Sequence, residues 1–234
     1  MSSLFSSFQL TDKTFYIIIG IIVILSIVAI SYYFSDRNRI LRKLKSVVAK
    51  RILLVKENEY AKIIGKAQHI DESLISPIGK RKCVYYQIKV EEERGGKNKH
   101  WHTIIKEEKA IDFIIESKGE KAIIKPHTGS QAKLVYIIKD VKHKSGFWKD
   151  SPAFLENYLK SHGKDSTGLF GFNKKIRYRE GVIEIGETIA VMGIGNWKET
   201  DQSFDRYSSK NLFLSGDKTN KLLITDDPKA IKTK

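Results

Sequence analysis

The chain has 234 residues, 42 Lys+Arg against 27 Asp+Glu for a formal charge of +15, and a single cysteine. That length supports one medium domain with accessory segments, and 41% hydrophobic with 29% charged residues is a folding composition rather than a disordered one. One Cys excludes an intramolecular disulfide framework and any thiolate-built zinc or iron–sulfur site.

The first element follows residues 1–14, where Lys13 is balanced by Asp12. Phe15 to Phe34 is a run of 20 residues without a charged side chain, eight of them Ile. As a helix it would be about 30 Å long, the hydrocarbon thickness of a bilayer. Its β-branched richness is no obstacle, because in lipid only a helix satisfies every backbone polar group of a single segment. Tyr16 at one end and Tyr32 and Tyr33 at the other suit the two interfaces. We therefore expect a transmembrane helix over residues 15–35. A cleavable signal peptide is the rival, and Ala29-Ile30-Ser31 offers a small-x-small pattern. The apolar stretch is longer than a signal core, however, and the flank before it lacks a net positive charge.

Residues 36–51 carry Arg37, Arg39, Arg42, Lys43, Lys45, Lys50 and Arg51 against Asp36 alone. The positive-inside rule then expects the N-terminus outside and the C-terminal part in the cytoplasm of a single-pass cell-membrane protein. Ile40, Leu41, Leu44, Val47, Val48 and Val55 recur at helical spacing among these cations, so 36–57 reads as a basic amphipathic helix. Two readings stay open. Arg37, Arg39, Arg42, Lys43 and Lys45 hold anionic headgroups of the inner leaflet, or the helix packs on the following domain and its charges only set topology. Ile52, Leu53 and Leu54 widen the apolar stripe beyond a clean amphipathic face.

From residue 58 to 228 the pattern is of short strands. Val84, Tyr86, Ile88 and Val90 alternate onto one strand face, with Cys83, Tyr85, Gln87, Lys89 and Glu91 on the other. Ser76-Pro77-Ile78-Gly79 before it is turn chemistry, and Arg94–Lys97 turns the chain into an antiparallel return over 99–106. Further strands are expected over 111–117, 121–125, 132–139, 174–179, 188–193, 210–214 and 222–225. One helix interrupts them, capped by Asp150 or Ser151, with Pro152 in its first turn, Phe154, Leu155, Tyr158 and Leu159 as its buried stripe, and Gly163 at its end. Residues 163–173 and 196–209 read as loops, and 229–234 as a basic tail. The expected fold is a transmembrane helix plus a mainly antiparallel β (α+β) domain, barrel- or sandwich-like, with one helical insertion.

The series of short motifs resembles a known family. Ser76-Pro77-Ile78-Gly79 through Cys83-Val84-Tyr85-Tyr86 is similar to the SP-x-G-x-x-CVYY-type segment of the GIDE (or BAM, "beside a membrane") domain, found in membrane-anchored E3 ubiquitin ligases of the MULAN/MAPL type and in prokaryotic relatives. Trp101, the Phe113–Gly119 stretch, Arg177 with Glu180, Gly186 through Gly193 and Leu222–Asp226 follow in family order. The resemblance implies a protein-interaction or assembly module beside the membrane. The ligases continue into a second transmembrane helix and a RING finger, which needs about eight Cys/His ligands for its two zinc ions. One Cys and six His do not supply them, so we expect no catalytic residue of this chain's own. An E3-like system with catalysis supplied in trans is the alternative.

Other chemistry is thinly represented. Cys83 lies within a strand and reads as packing rather than nucleophile. His100 and His102 share a strand face around Trp101 without an identifiable third ligand, His127 and His143 being no more than possibilities. Arg177 and Arg179 share a face opposite Glu180, and an intradomain ion pair that fixes strand register is the simpler reading than a site for an acidic partner. An OB-like nucleic-acid module is the last alternative. Only nine of the 42 cations are Arg, and Tyr85, Tyr86, Trp101 and Phe113 sit among Glu91, Glu92, Glu93, Glu107 and Glu108, so no nucleic-acid partner is expected. The expected partners are the bilayer and a protein, and no cofactor or metal is expected.

Overall fold

The computed structural model describes residues 12–127, 132–138, 141–144, 153–167, 174–200 and 209–232. They fall into two units, residues 1–39 and 40–234. The first contains α1 (Asp12–Phe34), whose Phe15–Phe34 portion is long and apolar enough to cross a membrane and buries none of its apolar window. Apolar side chains face outward all round it. α2 (Asp36–Lys45) follows after a bend at Ser35.

The second unit is mainly β, as expected. Five of its strands close a barrel: β1 (Tyr60–His69), β5 (Phe113–Ser117), β6 (Glu120–Ile124), β11 (Lys210–Ser215) and β10 (Thr188–Glu199), with β10 pairing back onto β1. β6 and β11 run parallel, with Leu212 opposite Ala122, and the other four pairings are antiparallel. This is the Greek-key ring of OB-type barrels, and closure removes the free edges of its strands. β1 serves both sides of the ring, pairing with β10 over residues 60–66 and with β5 over 66–69. Gly65 sits at the changeover, where a Cβ would lie 2.3 Å from the Glu116 carbonyl oxygen. Inside the barrel are Ile63, Phe113, Ile115, Ile124, Val191, Leu212, Leu214 and Ile224, all fully buried.

Beyond β10 the sheet extends through β12 (Leu222–Thr225) to β7 (Lys133–Tyr136). A second sheet of β2 (Leu74–Ile75), β3 (Lys82–Arg94), β4 (His100–Ala110), β8 (Val141–Lys144) and β9 (Ile176–Glu184) is inserted around the ring, with β3 central. α3 (Ala153–Ser161) covers it, burying the predicted Leu155, Tyr158 and Leu159 against Ile88, Val90, Ile176 and Val182, while Phe154, expected in the same stripe, lies at its margin and is exposed. Asp150, Ser151 and Pro152, the predicted start of that helix, lie outside the described residues. A short helix, α4 (Pro228–Ile231), is capped by the Asp227 side chain, which accepts from Lys229 N.

Further local expectations change. In β3 the strict alternation fails at its start: Cys83 pairs with Glu184 and Tyr85 with Ile183, so Val84 is an extra residue in a bulge. Val84 therefore joins Tyr85 in the barrel core, while Cys83 joins Tyr86, Ile88 and Val90 under α3. β10 runs on to Glu199, through Asn196–Lys198 that the polar composition assigned to a loop, because β11 pairs it residue for residue. The helical spacing of residues 36–57 ends at Lys45; Ile52–Leu54 is a separate 3-10 turn.

Candidate functional site

Three features gather the residues singled out by the sequence: the basic segment that opens the second unit, a turn wrapped on a buried carboxylate, and an arginine set over a tryptophan.

The basic segment from Ile40 onward is built into the domain. Ile40, Leu41 and Leu44 of α2 pack with Ala190, Met192, Leu223 and Ala230, leaving Arg42, Lys43 and Lys45 exposed on the opposite face. Lys62 of β1, itself buried, donates from Nζ to the Leu44 carbonyl at 2.9 Å and so caps the helix's free C-terminal acceptors. Burial lowers its pKa. Ala49 bridges to Lys62, Lys50 N donates to the Lys62 carbonyl at 2.9 Å, and Trp197 Nε1 donates to Val55 O at 2.8 Å. Of the two readings of this helix, packing on the domain is therefore realised, with its cations turned outward. Arg37 and Arg39 lie in the first turn of α2, where Arg39 is 3.8 Å from Asp36.

The Ser76–Lys80 turn owes its shape to Glu180, which is fully buried 100 residues later in the chain on β9. Its carboxylate accepts from Ile78 N at 3.0 Å, Gly79 N at 2.8 Å and Ser76 Oγ at 3.3 Å, with Arg81 NH2 at 3.7 Å. Pro77 presets the entry of the turn, and Ser76 N and Arg81 O close it at 2.9 Å. A Cβ on Gly79 would meet Glu180 Oε2 at 2.6 Å, so the residue must be glycine for the main chain to approach the carboxylate. Ser76, Pro77, Gly79 and Glu180, far apart in sequence, thus form one unit. Cys83 lies buried beside it, and burial first, then the Glu180 charge, pushes its thiol up to about 11, the wrong direction for a nucleophile.

The Arg177 guanidinium carbon stands over the Trp101 ring, 4.2 Å from its centroid, and Arg177 donates from Nε to Glu91 Oε2 at 2.5 Å. Lys89 Nζ reaches the other carboxylate oxygen at 2.6 Å, and Arg179 NH2 stands at 3.8 Å. Arg177 and Arg179 do share a face, and the ion pair they make spans β9 and β3. These contacts, led by the Arg177 hydrogen bond, hold the Glu91 carboxyl at about 2. On β4, Glu107 accepts from Tyr86 Oη at 2.5 Å and from Tyr158 Oη of α3, with His162 Nε2 at 3.4 Å. Burial alone would raise Glu107; the two tyrosine hydrogen bonds outweigh it and leave its pKa lowered.

Tyr85 is buried in the barrel core, apart from these clusters. Gly186 takes φ +86° in the β9–β10 turn, and at Gly193 a Cβ would meet Ser215 O at 2.8 Å where β10 and β11 lie close. His100 and His102 are exposed on β4 opposite Arg94 and Glu92, and among the described residues no group of three or more His, Cys, Asp or Glu has the placement to hold a metal ion. The sequence reasoning missed Lys62 and Glu107, because the partner of each is distant in sequence. A lysine within a β-branched strand pattern was the available signal for the first. No protein-family model matches this chain, and no curated protein or solved structure matches it either.

Proposed function

We propose that this is a single-pass membrane protein whose β-domain is a non-catalytic interaction or assembly module held beside the bilayer. The observation that carries the reading is the junction. The compact domain begins at Ile40, only residues 35–39 after the apolar span ends, and Lys62 and the α2 stripe fasten that start into the barrel. Whatever the domain binds is held within a short tether of the membrane. The polar clusters support holding over reacting: Glu180, Glu91 and Glu107 are each occupied by donors of the chain itself. The motif series resembling the GIDE/BAM domain favours the same reading, with the E3-like system completed in trans as its enzymatic variant. The cation excess after the span supports a cytoplasmic domain at the inner leaflet of the cell membrane. A stoichiometric protein recovered with the full chain after crosslinking in membranes supports the proposal. Turnover of a substrate by the purified full chain, abolished by one point change, overturns it.

One observation favours a second reading. OB-type barrels bind single strands on the outer side of the ring, and here that side carries Phe213 with Lys125 Nζ 5.6 Å and Lys198 Nζ 5.9 Å from its ring centroid. Its neighbours in the row, Ile114 and Ile123, are aliphatic and buried, so the platform is a single aromatic. A salt-dependent mobility shift of an oligonucleotide by the full chain in detergent tests it; absence of a shift at low salt removes it.

A further inference from the structure

Three of the large apolar side chains that the second unit exposes fall in one short stretch, apart from Ile75, Ile138 and Phe154 elsewhere. Val48 is 78% exposed, Leu53 52% and Leu54 64%. These are not frayed positions. Ile52 and Val55, on either side of the leucine pair, are buried in the barrel core, so the 3-10 turn inserts its outer residues and pushes its middle two into solvent. Glu120 fixes that arrangement from β6. Its carboxylate accepts from Leu53 N at 3.1 Å and from Arg51 Nε at 2.8 Å, which also neutralises Glu120 and leaves the turn without a free anion. Two leucines are thus presented to water on a pinned turn, an arrangement that costs solvation unless something covers them.

Charge and tether say what that is. Residues 42–56 contain Arg42, Lys43, Lys45, Lys50, Arg51 and Lys56 and no carboxylate; with Lys50 paired to Glu59 and Arg51 to Glu120, the stretch keeps a net positive charge. A second copy of the same patch would set these cations against one another, whereas an anionic lipid surface matches them while its acyl boundary takes the leucines. The tether is short as well: residues 35–47 separate the apolar span from Val48, and the ten residues of α2 rise only about 15 Å.

Resting on the membrane-anchored reading above, we infer that Val48, Leu53 and Leu54, with the exposed cations Lys45 and Lys56 in the same stretch of chain, form a second membrane contact. They wedge into the headgroup–acyl boundary of an anionic leaflet. The partner is the lipid surface itself.

The test uses the full chain in vesicles of phosphatidylcholine and phosphatidylglycerol, with an environment-sensitive fluorophore on L54C or, as control, on I75C, which replaces an apolar residue of similar exposure (59%) on β2. Cys83 is buried and stays unlabelled under native conditions. The Leu54 label is expected to be blue-shifted and quenched by lipids bearing a shallow nitroxide, and the Ile75 label to do neither. Equal emission and quenching of the two labels overturns the inference. So does a blue shift at Leu54 without lipid quenching, which marks contact with protein, as a second copy would give. Flotation of the same vesicles separates the two levels: a chain that floats with matching labels sinks only the wedge, and a chain that does not float sinks the anchoring with it.

Discussion

Lys62 Nζ and the Leu44 carbonyl are 2.9 Å apart, and this one hydrogen bond joins the first barrel strand to the end of the juxtamembrane helix. It explains a buried lysine in a strand of Ala, Ile and Gly: the ammonium meets the helix's C-terminal carbonyls, where a positive charge is favoured. Replacing Lys62 by Met keeps the bulk and removes the donor. We predict a loss of about 1–3 kcal/mol, the cost of leaving a buried acceptor unpaired. Hydrogen exchange in detergent is expected to rise first at residues 44–50, before the barrel strands.

The Glu180 turn gives a graded series. Glu180→Ala leaves the Ser76 hydroxyl and the Ile78 and Gly79 amides without their acceptor and is expected to destabilise by roughly 3 kcal/mol or more. Glu180→Gln keeps one acceptor oxygen and loses less. Gly79→Ala introduces a methyl 2.6 Å from the carboxylate oxygen and is expected to fall between them. Thermal unfolding of the three variants orders them.

Acid stability reads the Glu91 cluster. Its carboxyl is held at about 2 in the fold against an ordinary 4.5, so its contribution is complete above pH 4.5 and is lost as pH falls from there toward 2. At 1.36 kcal/mol per unit this is of order 3 kcal/mol near neutrality. Glu59, Glu107 and Glu120 are lowered too, so acid sensitivity is shared. Glu91→Gln is therefore expected to lower stability at pH 7 and to flatten, without abolishing, its decline between pH 4.5 and 2. A urea midpoint that tracks the unaltered protein across that window would contradict the assignment.

Tyr158→Phe removes the α3 hydroxyl that Glu107 accepts. The expected loss is about 1 kcal/mol, with faster exchange confined to residues 153–161, since Leu155 and Leu159 still pack beneath the helix.

Much of the architecture was legible because it rests on local periodicity. Twenty uncharged residues define the apolar helix, Leu222–Thr225 reads as a strand and is one, and three of the four residues of the α3 stripe, Leu155, Tyr158 and Leu159, are buried as their spacing implies, with Phe154 exposed. What escaped depends on partners far along the chain. The Val84 bulge arises from pairing with β9, about a hundred residues later, and turns two predicted faces around. Val141–Lys144 is a strand because Arg177–Glu180 pairs with it, although its lysines and histidine carry little strand signal. Arg177 and Arg179 could be placed on one face from spacing, yet nothing local names Glu91 as their acceptor. Leu53 and Leu54 read as part of an apolar stripe; only the buried Ile52 and Val55 beside them reveal that the pair faces out.

The account turns on the Phe15–Phe34 helix holding the domain to a bilayer, and alkaline carbonate extraction of membranes containing the full chain tests that most directly. The chain is predicted to stay in the membrane pellet at high pH, as a lipid-embedded helix requires. Its release into the supernatant would contradict the account.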